Sequence, residues 1–217
     1  MHLKLVSDSV SAARDALRAV YPVVHLIAGK DRFADYASLY RGAHPYDGSS
    51  DYGEEFPEYL DLMQSEDLPY IADLAQLEWL VHRARRAEAI PTVEAAALNA
   101  VPAERLRHAR LELHPSCGTL RSGYPVARIW EIHQPGYAGE LTVDAMHDLT
   151  WVLVNRPDTH VEVTNIDEGG YAFIEALAQG QTLGAAFDRA RAVKPEFDPG
   201  EALQDVLARR LIASFSV

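Results

Sequence analysis

The sequence predicts an α+β chain: an all-helical N-terminal domain over residues 1–92, then a small antiparallel sheet with winged-helix-like helices over 93–217. Three observations predict it. Apolar residues recur every three or four positions through the first part of the chain, the period of one helical face. Short strand-like runs separated by turn residues follow Pro91. Amphipathic segments with capping residues then close the chain.

The elements follow in order. From Ser9 to Ile27, Val10, Ala13, Leu17, Val20, Val24 and Ile27 share one face. Pro22 lacks an amide and interrupts the run, which predicts two helices or one kinked helix, ended by Gly29. A helix is expected over Asp31 to Ala43, carrying Phe33, Tyr36, Ala37 and Tyr40 and stopping at His44-Pro45. Tyr46 to Ser50 has loop chemistry, after which Ser50 or Asp51 is positioned to cap a short helix bearing Phe56, Tyr59, Leu60 and Met63. The longest helix is expected from about Pro69 to Ala89, with Tyr70, Leu74, Leu77, Val81 and Ala84 as its stripe. A connector from Ile90 to Pro102 contains a short helix, Val93 to Asn99. Strands are expected over Leu106 to Leu113, Val126 to His133, Trp151 to Asn155 and Val161 to Asn165, the last two joined by a turn at Arg156-Pro157-Asp158-Thr159. Helices return over Glu168 to Ala178, after the cap Thr182, and after Asp198-Pro199, the last with Ala202, Val206, Leu207 and Ile212 inside.

Composition narrows the function classes. The chain has 217 residues and a formal net charge of −12, with a pI of about 5.1. A nucleic-acid binder must neutralise phosphates with lysine and arginine, so the balance disfavours nucleic acid. Ten carboxylates and no lysine or arginine lie between Asp47 and Glu78, inclusive, and Arg83, Arg85 and Arg86 follow. The plain interpretation of both runs is a solvated face. Cys117 is the sole cysteine, which excludes an intramolecular disulfide and fits a reducing compartment. The N-terminal MHLKLVSDSV has no basic region ahead of a long apolar run, and no stretch approaches the ~20 apolar residues that span a bilayer. A cytoplasmic protein without a membrane partner is expected.

A search for catalytic motifs finds no G-x-S-x-G elbow, Walker loop, H-E-x-x-H helix or G-x-G-x-x-G turn. Gly169-Gly170 ahead of a helix reads as a flexible connection. His108, His114 and Cys117 are metal-ligand types, yet in an extended strand residues six apart lie roughly 20 Å from one another. No metal site and no catalytic residue is therefore expected in this chain. The helix after Thr182 offers Arg189, Arg191 and Lys194 as a partial cationic face, which keeps a DNA-binding transcriptional regulator as the alternative.

Several runs taken in order resemble one family. They begin with Tyr21-Pro22-Val23-Val24, Gly29, Phe33 and Ala43-His44-Pro45, then Tyr52-Gly53 and Phe56-Pro57. Leu68-Pro69-Tyr70, Asp73-Leu74-Ala75 and Leu77-Glu78-Trp79 follow. The second half adds Leu113-His114-Pro115-Ser116, Tyr124-Pro125-Val126, Ile129-Trp130, Val152-Leu153-Val154 with Arg156, Ala176-Leu177 and Gly180. The pattern resembles the HvfC/BufC family, whose N-terminal domain has carried a DNA-binding label. Family members commonly have a further helix and a Tyr-Arg-Asn-Asn-like run ahead of the first helix, and this sequence begins without them.

The resemblance implies a non-catalytic partner subunit. Such proteins accompany multinuclear non-haem iron oxidative enzymes that modify cysteines in ribosomally made peptides, with the methanobactin pathway's partner protein as a distant analogue. The partner would bind the precursor's leader and dock on the enzyme, which would hold the iron; this chain would bind no cofactor. A small sheet with an open edge can accept an extended leader as an added strand. Trp130 and Trp151 fall in predicted strands with Arg128 and Arg156 nearby, residue types enriched at binding hot spots. A tryptophan in an apolar strand more often serves as core. Glu78-Trp79 in the long helix is either an interface contact or, for Glu78, a buried helix-capping partner.

Overall fold

The computed structural model describes residues 2–143 and 148–217, with side chains from residue 11 onward. It is an α+β fold in which helices lead and small sheets follow. Helix α1 (His2–Val20) ends before Pro22, and α2 (Pro22–Ala28) restarts the chain, so of the two alternatives at this proline the structure has two helices. Pro22 sits in the first turn of α2, where a missing amide costs nothing. Gly29, at φ +79, both ends α2 and opens α3 (Lys30–Ala43). After the loop come α4 (Phe56–Met63) and α5 (Ile71–Arg86). Neither Ser50 nor Asp51 caps α4; its N-cap is Glu55, and Pro57 in the first turn sets where it starts.

The second half begins with two short helices, α6 (Ala95–Asn99) and α7 (Ala103–Leu106). Strands β1 (Arg110–Leu113) and β2 (Gly118–Ser122) follow, then α8 (Val126–Ile132), β3 (Thr150–Asn155) and β4 (Glu162–Ile166). Helices α9 (Glu168–Ala178), α10 (Leu183–Val193) and α11 (Pro199–Ala208) lead to a last strand, β5 (Ile212–Ser216). Three expectations are corrected. Val126 to His133 is helical, because Pro125 precedes a buried face of Val126, Ala127 and Ile129. Leu106 to Arg107 belongs to a helical turn, and the strand starts only at Arg110. Ile212 lies in β5, since Arg210 at φ +55 turns the chain out of α11. The strand β2 was not expected.

By internal contacts the chain forms two compact units, Met1–His82 with Ser122–Asp148, and Arg83–Arg121 with Leu149–Val217. In the first, Tyr21, Phe33, Tyr40 and Phe56 form an aromatic centre, with the Phe56 ring 4.9 Å from Tyr21 and 5.3 Å from Tyr40. Leu17, Leu60, Leu74 and Leu77 are fully buried in the same unit. All four residues expected inside α3 are buried, as are Leu74, Leu77, Val81 and Ala84 of α5. The side chain of Val10 lies outside those described.

In the second unit, β1 pairs antiparallel with β5, and a separate sheet runs in the order β2-β3-β4. β3 and β4 are antiparallel, with Trp151 opposite Ile166 and Asn155 opposite Glu162. Val152, Leu153 and Val154 are fully buried, which explains their unbroken apolar run. Helices α9 and α10 pack closely, and Phe173, Phe187, Leu177 and Leu183 join Leu111 and Leu153 in one core. Each of the last three helices begins on a side-chain cap: Asp167, Thr182 and Asp198.

Candidate functional site

The β3-β4 ladder leaves β4 as the outer strand of its sheet. Its residues are half-buried or, at Asn165, exposed. Among the described residues its backbone bonds only within that ladder. An outer strand carries a row of unpaired amides and carbonyls, a template for another extended chain. Beside its C-terminal end opens a groove of about 380 Å³, walled by α9 and α11. Ile166, Phe173, Ile174, Phe197 and Val206 supply an apolar floor. Phe197 is held there by the turn between α10 and α11, where its amide donates to the Lys194 carbonyl at 2.9 Å.

The groove is acidic at its rim. Asp167, Glu196, Asp198, Glu201 and Asp205 face Lys194 and Arg209. Both cations are engaged: Lys194 Nζ donates to Asp167 at 2.8 Å, and Arg209 Nε to Asp205 at 2.8 Å. The ammonium of Lys194 and the Gly170 amide together hold the Asp167 carboxyl below the usual carboxylate range. Asp198 accepts from the Gly200 and Glu201 amides at 2.7 and 3.0 Å. The helix starts at the groove are therefore closed by their own aspartates.

The structure distributes the sequence-predicted residues over both units. Glu78 is 2% exposed, and its two oxygens accept the Val23 and Val24 amides at 2.9 and 3.0 Å. It caps α2, satisfying donors that no carbonyl in the short helix reaches. Trp79 is buried and stacks on His82 with centroids 5.2 Å apart. Arg128, on α8, braces the segment that follows, donating to Glu131, to Tyr137 Oη at 2.6 Å and to the Glu140 and Thr142 carbonyls. Trp130 is half-buried on the same helix, and its carbonyl accepts from Gln134.

Trp151 and Arg156 belong to the other unit. Trp151 is half-buried in β3 at the position opposite Ile166, which lines the groove. Arg156 donates to the Ala87 carbonyl at 2.5 Å and, through its amide, to Ser116 Oγ. Trp151 is thus the predicted residue that lies next to the open strand, while Arg156 ties together loops of its own unit.

His114 is buried, with Nδ1 2.8 Å from Ser116 Oγ and accepting the Ser116 amide at 3.1 Å. Cys117 is half-buried as a residue, but its thiol is enclosed against the core, and burial pushes it up to about 12. A thiol in that setting is a packing group rather than a nucleophile. No three histidine, cysteine, aspartate or glutamate side chains among the described residues group as metal ligands. On α10 and beyond, Arg189 donates to Gln179, Arg191 to the Phe197 carbonyl and Lys194 to Asp167.

The groove residues escaped the sequence reading because Ile166, Phe173, Phe197 and Val206 share no period. One signal was present: Phe197 is a lone aromatic in the polar run Lys194-Pro195-Glu196-Phe197-Asp198-Pro199, where an exposed ring would have no reason to be. No helix among the described residues is long and apolar enough to cross a membrane. The chain matches no protein-family model, and no curated protein matches it.

Proposed function

We propose that this chain is a non-catalytic docking subunit that holds the leader of a ribosomally made precursor peptide and presents it to a separate iron-dependent oxidative enzyme. The observation that carries the reading is the outer strand β4 lying beside a groove with an apolar floor. Main-chain hydrogen bonds to β4 would give affinity without a fixed sequence, and the groove would select side chains. The identity of the enzyme rests on the order of motifs that resembles the HvfC/BufC family. The enclosed thiol of Cys117 and the engaged imidazole of His114 fit a subunit that leaves the chemistry to its partner.

The test is reconstitution with a multinuclear iron enzyme and a cysteine-containing precursor peptide of the kind the resemblance implies. The expected result is a stable complex on gel filtration and modification of the precursor only when this chain is present. A precursor modified equally well without it would overturn the reading. The packed pair α9 and α10 keeps DNA binding as a second reading. Arg189, Arg191 and Lys194 already have partners within the chain, so phosphate contacts would have to displace them. A flat mobility-shift titration at low salt would remove it.

A further inference from the structure

We infer that the segment taken up beside β4 is basic: an extended peptide combining apolar side chains with lysine or arginine. The inference rests on the docking reading above and adds the chemistry of the occupant. Ile166, Phe197 and Val206 offer the floor that apolar side chains would cover. The rim decides the sign of charge. Glu196 and Glu201 are exposed and in no ion pair among the described residues, whereas Lys194 and Arg209 are committed to Asp167 and Asp205. Both glutamates line the same groove as Lys194.

An anionic occupant would find nothing to receive it. The amides at the starts of α9 and α11, ordinarily attractive to anions, are already taken by the capping aspartates. An acidic peptide would place its charges against Glu196 and Glu201 with every nearby cation engaged. A lysine-bearing peptide would gain Glu196 and Glu201, which no ion pair among the described residues holds. The formal charge of −12 on the whole chain adds long-range attraction for the same sign.

The experiment titrates the full chain with three fluorescent peptides of equal length: one alternating lysine with valine, one alternating glutamate with valine, and the lysine peptide methylated on alternate backbone amides. The lysine peptide is expected to bind about tenfold more tightly than the glutamate peptide at low salt, a margin that shrinks as salt rises. Glu196→Lys with Glu201→Lys is expected to reverse that order, and Glu196→Gln with Glu201→Gln to abolish the margin, with unchanged circular dichroism in both. Equal binding of both signs, lost on backbone methylation, would overturn the basic occupant and leave strand addition standing. Binding that survives methylation on every alternate amide would instead overturn strand addition. Binding by none of the three would overturn the inference, while the docking reading keeps its own test with enzyme and precursor.

Discussion

Glu78 on α5 accepts the amide of Val23 on α2 at 2.9 Å, across 55 residues of sequence. Its second oxygen takes the neighbouring Val24 amide. The contact ties the start of the seven-residue helix α2 to the middle of α5. Glu78→Ala would leave two buried donors without acceptors, and each such loss costs roughly 1–3 kcal/mol. A urea melt is expected to show a large fall in midpoint for Glu78→Ala and a smaller one for Glu78→Gln, which keeps one acceptor oxygen. Equal midpoints for the alanine variant and the wild type would contradict the capping role.

Gly184 sits inside α10, where helix propensity alone favours alanine by about 1 kcal/mol. Sterics oppose it. A Cβ there would lie 2.9 Å from the Arg107 carbonyl oxygen, a backbone atom that itself accepts the Gly184 amide. Overpacking of this kind typically costs 1–3 kcal/mol, about as much as or more than propensity returns. Gly184→Ala is therefore expected to be destabilised in a thermal melt despite lying in a helix. A rise in melting temperature would show that the Arg107 turn gives way.

His114 makes stability depend on pH. Burial, then the nearby Arg156 guanidinium, lowers its pKa below the ordinary imidazole value. The unfolded chain therefore binds a proton that the folded chain resists. The contribution is fully present above about pH 6.5, the unfolded value, and is lost as pH falls below it toward the folded pKa. Protonation also strips Nδ1 of its role as acceptor for the Ser116 amide. Urea midpoints measured between neutral and mildly acid pH should decline, and the His114→Gln variant should decline less. Parallel pH profiles for the two proteins would remove the assignment.

Cys117 supplies a reactivity prediction. With the thiol held near 12 rather than 9, the thiolate fraction at mildly alkaline pH falls about a thousandfold. Alkylation by iodoacetamide is expected to be slow in buffer and fast in denaturing urea. Rapid stoichiometric labelling of the folded chain would mean that the thiol is open.

The sequence made some of this legible and hid the rest for physical reasons. Trp151 to Asn155 and Glu168 to Ala178 were readable because each keeps one period throughout, buried on both faces in the strand and on one stripe in the helix. Val126 to Ile132 misled because a seven-residue helix of mostly apolar residues looks like a strand when only apolarity is counted. The spacing of Val126, Ile129 and Trp130 was already helical. β5 was absorbed into α11 since only the backbone turn at Arg210 separates them. Of the residues singled out for binding, Trp151 alone lies against the groove strand, and Glu78 proved to be the buried cap. Floor residues from β4, α9, α11 and the turn before α11 meet only through tertiary packing, which no local pattern records.

The pairing of β1 with β5 sets an order of events during synthesis. Ser214 Oγ donates to Glu112, 102 residues earlier in the chain. At bacterial or eukaryotic elongation speeds, β1 would wait roughly 5–20 s for its partner to leave the ribosome. Through that interval Leu111, fully buried in the finished core, has no strand to cover it. The second unit thus closes its core only once β5 has been made, and until then its first strand lacks the partner that pairs along Arg110 to Leu113.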